Sequence, residues 1–387
     1  MPQERSNVVI VGGGVAGLHA LKSLASKLDL LKYNLILITA RPYFTHLAGT
    51  IRAIVTAEGS LADRIRIPYD ELENANSNAY RIVIGKVASL ELEPEDEPKE
   101  VRGRGRGGSV VLEGSGERIS YSVLVLATGR RLSGPLEFPD TFEESDQWVA
   151  GWRDKIEKAH HVVLVGGGAA GTEMAGEIKD QWPAKKVTIV HRRNKLLDDT
   201  YPSALRERAA ESLLARGVSL VLGDCVDSMD IRGDGTILAR KKHAIETDLV
   251  IPMRGVHPNT QFLTSSLGEQ ALTKQGYVKV LPTLQLREHA RIFAVGDIID
   301  WDEHKQGVKC AGHVSVLASN VVSLLEGKKV KAEYRDSHDT IIISNGKMRG
   351  AGYFSYLGGI TCGDWLSTSL KSKSLMIVSM RKTLGFS

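Results

Sequence analysis

Cysteine is scarce in this chain. Only Cys225, Cys310 and Cys362 occur among 387 residues, and they stand far apart. No C-x-x-C pair is present and no cysteine joins histidines at metal-ligand spacing, so neither a dithiol redox centre nor a zinc site is written in the sequence, and no metal is expected. Long apolar runs are also missing, and no stretch approaches the roughly 20 residues of a membrane span. An excess of one charge is absent too: the formal net charge is +4, short of the concentrated basic faces that nucleic-acid binders use. The opening MPQERSNVVI has no signal-peptide core or presequence pattern, and Pro2 stands where an N-myristoylation signal needs glycine. A cytoplasmic protein is the expectation.

What the chain does have is length, an apolar content of 42% and 39 glycines, enough for two or three domains with sizeable cores. Its most informative feature is a repeat. NVVIVGGGVAGLH at 7–19 returns as HVVLVGGGAAGTE at 161–173, with eight of thirteen letters shared. In each copy a β-branched run (VVIV at 8–11, VVLV at 162–165) leads into a glycine turn. A helix-spaced stretch follows, and then a second apolar run, LILIT at 35–39 and VTIV at 187–190. The order is strand, turn, helix, strand, which predicts two βαβ units with parallel strands.

Gly12 and Gly166 allow the tight turn, Gly14 and Gly168 let the backbone approach a pyrophosphate, and Gly17 and Gly171 let the helix pack on the strand. The helix N-termini then offer free N–H groups and positive dipole to phosphate. Two such units point to two dinucleotides. The acidic residue expected at the end of the second strand, where it would hold a ribose hydroxyl, is missing from both. The first unit has Thr39 there. The second has His191 followed by Arg192 and Arg193, a basic triplet that suits a 2′-phosphate, and hence NADPH, better than a free hydroxyl; a solvated basic strand end that accepts NADH equally would read the same.

Two more strand ends complete the pattern: YSVLVLATGRR, with Ala127, Thr128 and Gly129, and ARIFAVGDIID, with Asp297. In this order the four motifs resemble the two-dinucleotide-domain flavoproteins, the FAD-dependent pyridine nucleotide-disulfide oxidoreductases. The resemblance implies FAD in the first site, with its pyrophosphate on Gly12, Gly14, Val15, Ala16 and Gly17. Thr39, Ala40 and Arg41 would belong to the same site, and Asp297 would hold the ribityl and phosphate region. NAD(P)H would occupy the second. It also implies an α/β fold of two Rossmann-like domains in the glutathione-reductase-like arrangement: an FAD domain over 1–130 and 255–327, an NAD(P)H domain over 131–254, and a small α+β C-terminal domain over 328–387. DLVIPMRGVHPNT at 248–260 resembles the return strand into the FAD domain.

The disulfide-using branches need a cysteine pair against the flavin, which this chain lacks. ARPYFTHLAGTIRA at 40–53, GGGAAGTEMAGEIKD at 166–180 and KSKSLMIVSMRKTL at 371–384 instead resemble the apoptosis-inducing-factor-like, ferroptosis-suppressor-like group, which is related to type II NADH dehydrogenases. That resemblance implies hydride transfer from NAD(P)H to FAD and two electrons onward to a quinone-type acceptor. It places Glu173 at the nicotinamide or flavin edge and Lys371 near the flavin and quinone pocket. A helix-dipole carboxylate in the first helical turn and a solvated lysine are the plainer readings of the two. His46 either approaches the flavin or is a satisfied core or surface histidine. A slow, redox-sensing interaction protein and a biosynthetic flavoprotein acting on a small metabolite are the alternative functions, and the sequence suits a monomer or a homodimer.

Toward the C-terminus, DTIIISNGKMRGAGYF predicts two strands around an Asn-Gly turn, and YLGGITCGDWLSTSLKSK reads as helical after its glycines. In SLMIVS and its flanks, Lys371, Lys373, Arg381 and Lys382 beside Leu375, Met376 and Ile377 would suit weak contact with an anionic membrane surface. A buried strand flanked by solvated lysines accounts for the same letters. The acidic-then-RGRGRGG run at 91–109 predicts an exposed, mobile hairpin loop between two strands rather than a nucleic-acid site.

Overall fold

The computed structural model describes residues 5–75, 78–93, 107–241, 243–255 and 257–386; most of the acidic and RG run, 94–106, lies outside them. The first βαβ unit forms where the sequence places it. Strand β1 (Ser6–Val11) is buried over its last four residues, helix α1 (Val15–Ala25) follows the glycine turn, and β2 (Tyr33–Thr39) runs parallel to β1. Helix α2 (Leu47–Val55) comes next, then β3 (Arg81–Ile84) and β4 (Val123–Leu126). Between β3 and β4 lies an antiparallel meander of Val87–Leu92, Gly108–Leu112 and Arg118–Tyr121.

Helix α3 (Phe142–Lys158) leads into the second unit, β5 (His161–Val165), α4 (Ala169–Gln181) and β6 (Lys186–His191), which adds β7 (Val218–Leu222) and β8 (Leu249–Pro252). These strands make a four-stranded, wholly parallel sheet in the order β7-β6-β5-β8. The stretch 248–260 is therefore divided. Its first part closes the second sheet, because Leu249 to Pro252 sit beside Val162 to Val165, and the return crossing is His257–Pro258, antiparallel to Arg130–Arg131. The chain then adds β9 (Gln285–Leu286) and β10 (His289–Ala294) to the first sheet, whose order is β9-β10-β4-β1-β2-β3.

Helix α5 (Cys310–Leu325) packs on α1. With the turn before it, Gly307–Leu325 is long and apolar enough by composition to cross a membrane, which corrects the expectation that no stretch approaches that length. Its Val314, Leu317, Val321 and Leu324 lie in the first domain's core, however, which marks it as a core helix. The C-terminal segment forms an antiparallel sheet of β11 (Thr340–Ser344), β12 (Gly350–Phe354) and β13 (Ile360–Cys362), followed by two short helical turns and α6 (Ile377–Leu384). The hairpin matches its Asn-Gly signal, but β13 occupies glycine-flanked letters read as preceding a helix. SLMIVS is not a strand either. Leu375 and Met376 take left-handed backbone, with φ of 53° and 59°, and a helix begins at Ile377. The spacing of Ile377, Met380 and Leu384 is helical, and Ile377 and Leu384 are buried on that face.

This last segment has no core of its own. Ile343, Ala351, Leu375 and Ile377 join Ile54 of α2 and Met174 and Ile178 of α4 in the second domain's core. Both domains hinge on one kind of close approach. A Cβ on Gly17 would lie 1.8 Å from the Gly12 carbonyl oxygen, and one on Gly171 would lie 1.9 Å from that of Gly166. In the cofactor-free protein, Gly17→Ala is expected to lower stability by about 3 kcal/mol, the cost of severe overpacking. Gly14→Ala, whose Cβ would meet nothing within 4 Å, should stay within about 1 kcal/mol of the parent. Calorimetry that found the two variants equal would remove the packing argument.

Candidate functional site

The first glycine loop leaves open space where a phosphate would lie. Helix α1 is capped by Gly14 with no side-chain cap, and no acidic residue occupies its first turn, so the amides of Val15, Ala16 and Gly17 are free of side-chain competition at the positive end of the dipole. The same holds for α4 behind Gly168, where an added Cβ would again meet nothing within 4 Å. Each loop is thus a cradle that a side chain would fill and that suits a pyrophosphate. Behind the first loop, Tyr69 donates its hydroxyl hydrogen bond to the Gly13 carbonyl. A Cβ on Gly13 would strike both the Tyr69 hydroxyl and Thr39 Oγ1. Thr39 is accordingly buried and makes a long 3.4 Å bond to the Arg41 carbonyl. Arg41 itself turns to the Phe138 carbonyl and Asp140, while Ala40 is exposed.

The other two motifs meet the first loop from across the sheet. Thr128 donates to the Asn259 carbonyl at 2.7 Å, and the Asn259 amide returns a bond to the Gly129 carbonyl at 2.9 Å, so the Ala127–Gly129 turn is stitched to the return segment. Asp297 lies in a turn whose Gly296 faces Ala16 of the first loop. One of its carboxylate oxygens is held by Arg130 Nε at 2.9 Å, a partner that the sequence reading did not single out.

In the second loop the basic triplet separates. His191 is buried and its Nδ1 accepts the Gly167 N–H at 3.1 Å. Burial is the main cause of a lowered pKa, and the neighbouring arginines reinforce it. This histidine is therefore a neutral support for the loop, which corrects its reading as a source of positive charge. Arg193 is paired with Asp198 at 2.7 Å and Asp199 at 2.9 Å. Arg192 is exposed and carries the charge of the triplet that no carboxylate offsets among the described residues.

Glu173 and Lys371, 198 residues apart, are brought together. Lys371 Nζ donates to Glu173 Oε1 at 2.6 Å and to the Ile342 carbonyl at 2.8 Å, which leaves its third hydrogen uncommitted. Glu173 Oε1 also accepts the amide and hydroxyl of Ser344 at 2.9 and 3.0 Å, while Oε2 has no partner among the described residues. The side chains are 10% and 15% exposed for Glu173 and Lys371. Glu173 is the fifth residue of α4, beyond the first turn, so helix-dipole compensation does not account for it.

One turn further along α4, Glu177 receives a two-pronged bond from Arg52 of α2, with both distances 2.8 Å, and the side chains are only 4% and 5% exposed. Arg52 also donates to the Ser372 carbonyl at 2.6 Å. Burial holds the Glu177 carboxyl above its ordinary range even with the guanidinium beside it. His46, which precedes α2, donates from Nε2 to the Leu375 carbonyl at 2.6 Å, and burial lowers its pKa. It is a satisfied core histidine. Side chains on α4, on α2 and just before α2 thus hold residues 371–375. Arg52 and Glu177 escaped the sequence reading because a lone arginine and a lone glutamate on separate helices carry no spacing signal. No group of histidine, cysteine, aspartate and glutamate suited to a metal occurs among the described residues.

Comparison with known proteins bears on the family and the fold. The profile of the pyridine nucleotide-disulphide oxidoreductases matches residues 6–346. The FAD-dependent oxidoreductase FVFD30 of Flammulina velutipes is 38% identical over 334 residues, 86% of this chain and 99% of that protein. Ferroptosis suppressor protein 1 of Xenopus tropicalis is 31% identical over 396 residues, 99% of this chain and 97% of that protein. Among solved structures, the sulfide:quinone oxidoreductase of Aquifex aeolicus superposes with a TM-score of 0.75 at 17% identity, covering 98% of this chain and 92% of that one. The open glycine cradles, the GD turn and these likenesses together place the chain in the pyridine nucleotide-disulphide oxidoreductase family, as an oxidoreductase that uses FAD and NAD(P)H.

Proposed function

We propose that this protein is an NAD(P)H:quinone oxidoreductase whose acceptor meets the flavin beside Lys371 and Glu173. When bound, FAD takes hydride from the nicotinamide and supplies two electrons to the acceptor. The observation that carries the reading is the Lys371–Glu173 pair. It leaves one N–H and one carboxylate oxygen uncommitted on a wall built jointly by the nicotinamide-side helix and the C-terminal segment. A fixed ammonium at that position stabilises an oxygen that gains negative charge as a quinone is reduced. Glu173 holds the ammonium in place, and its Oε2 is free to accept a hydrogen bond. Cys225, Cys310 and Cys362 stand far apart in sequence with no C-x-x-C pair, so the reading takes electrons from the flavin directly to the acceptor.

We also read the C-terminal segment as a weak membrane-surface contact. Trp365 and Val378 are 81% and 75% exposed, and Leu370 and Met376 are exposed with them. Lys373 and Lys382 stand on the same short segment, a composition suited to an anionic interface. Flotation with vesicles containing anionic lipid is expected to carry the protein, and Trp365→Ser with Val378→Ser should abolish it; equal flotation of parent and variant would count against this surface.

For the reaction itself, anaerobic stopped-flow mixing separates the two halves. Lys371→Ala is expected to slow reoxidation of the reduced protein by a short-chain quinone about a hundredfold, the usual cost of losing one preorganised donor. Bleaching by NADPH should change less than about threefold. Parent protein that bleaches but is not reoxidised by any quinone would sink the proposal and favour a redox-sensing role. For the nicotinamide, Arg192→Ala should raise KM for NADPH about tenfold, equivalent to one charge-assisted hydrogen bond, with little change for NADH. An equal rise for both would remove the 2′-phosphate reading.

A further inference from the structure

The turn that carries Asp297 is held from below by a buried histidine. Gly296, at φ of +78°, begins the turn at the end of β10. Its amide donates to His313 Nδ1 at 3.1 Å. An imidazole nitrogen that accepts a hydrogen bond carries a lone pair, so the ring proton of the neutral form sits on Nε2. That nitrogen in turn lies 2.9 Å from Glu303 Oε1. The side chains of His313 and Glu303 are 2% and 1% exposed.

Glu303 is itself fixed: its Oε2 accepts the Tyr334 hydroxyl at 2.7 Å and lies 3.6 Å from Lys309 Nζ. The Tyr334 ring meets the His313 ring edge-on, with centroids 4.4 Å apart. Two hydrogen bonds and a ring contact therefore leave the imidazole one orientation, with Nδ1 aimed at a single backbone amide.

That amide immediately precedes Asp297. Arg130 holds one carboxylate oxygen of Asp297 at 2.9 Å, and among the described residues no partner occupies the other. The turn also lies so close to the first glycine loop that a Cβ on Gly296 would come within 2.7 Å of Ala16 Cβ. A small shift of the Gly296 amide would move the carboxylate relative to the pyrophosphate cradle. We propose that His313, oriented by Glu303, is the positioning residue of the FAD site: by anchoring the Gly296 amide through Nδ1, it sets where the Asp297 carboxylate meets the cofactor. The inference rests on the family's use of FAD and is independent of the acceptor.

The test uses two replacements that differ in which nitrogen they mimic. His313→Asn places an amide oxygen near the position of Nδ1 and keeps an acceptor for Gly296. His313→Gln reaches toward Glu303 and leaves the Gly296 amide without an acceptor. With folding checked by circular dichroism, FAD dissociation measured by flavin fluorescence should weaken about tenfold in the glutamine variant, as when an outer-shell support is lost. The visible flavin band should shift with it. The asparagine variant should stay within about threefold of the parent. Equal weakening in both variants, or none in either, overturns the proposal. A second measurement needs no substitution. In the ¹⁵N-labelled, deuterated holoprotein, a scalar coupling across the hydrogen bond between the Gly296 amide nitrogen and His313 Nδ1 is expected, with the proton on Nε2. A proton on Nδ1 overturns the proposal even if both variants fail to fold.

Discussion

The molecule depends on a contact that tolerates no side chain: the Cα of Gly17 against the carbonyl of Gly12, and that of Gly171 against the carbonyl of Gly166. Because helix and strand touch there, the first amides of α1 and α4 open directly beyond the ends of β1 and β5. A bulkier residue would lift the helix off the strand and carry those amides away from the site. The contact is local in sequence, repeats at identical spacing, and fixes the position of both glycine cradles before any long-range packing is considered.

From α4 the constraint passes to the rest of the site. The helix that presents the second cradle also receives Lys371 at Glu173 and Arg52 at Glu177, one turn apart. Burying the Arg52–Glu177 pair is a poor way to gain stability, since desolvation of both ions consumes much of their attraction, and the raised Glu177 pKa reflects that cost. What the pair supplies is geometry. Arg52 spends a further hydrogen on the Ser372 carbonyl, next to Lys371, and His46 holds Leu375. At and just after the second of these points the backbone makes its left-handed step, at Leu375 and Met376. Residues 371–375 are thus clamped at three places, at Lys371, Ser372 and Leu375, and the lysine has little freedom to swing.

How much of this was legible follows from the distance over which each feature is encoded. The two βαβ units, the parallel sheets and the strand ends at Gly129 and Asp297 are written in spacings of a few residues, and they form as read. Helix α6 was missed because its face is only Ile377, Met380 and Leu384, and the left-handed pair before it disguises its start. His191 was misread for a different reason: three basic letters in a row say nothing about which one turns inward. The convergence of Lys371 on Glu173 was available only through resemblance, because no periodicity links positions on opposite sides of a hairpin. Arg130, Arg52 and His313 carried no signal at all, since each owes its role to a partner supplied by the tertiary fold.

The near-identity of the two glycine stretches, with different letters behind them, accounts for how one backbone device serves two dinucleotides. Each loop has a middle glycine pressed against a polar group: the Tyr69 hydroxyl beside Thr39 in the first loop, and the His191 imidazole in the second. Both groups bond to the loop backbone, Tyr69 to a carbonyl and His191 to an amide, and neither is an acid. An acidic residue would repel a phosphorylated ribose. A neutral imidazole backed by burial carries no charge that would do so. Of the arginines that follow, Arg193 is neutralised by two aspartates, and Arg192 has no carboxylate partner among the described residues. The field of an exposed cation of this kind is screened by salt within roughly 8–10 Å, so the influence proposed for it on the choice of nicotinamide is a graded one. The absolute requirement, that a pyrophosphate sit at the helix N-terminus, remains with the glycines.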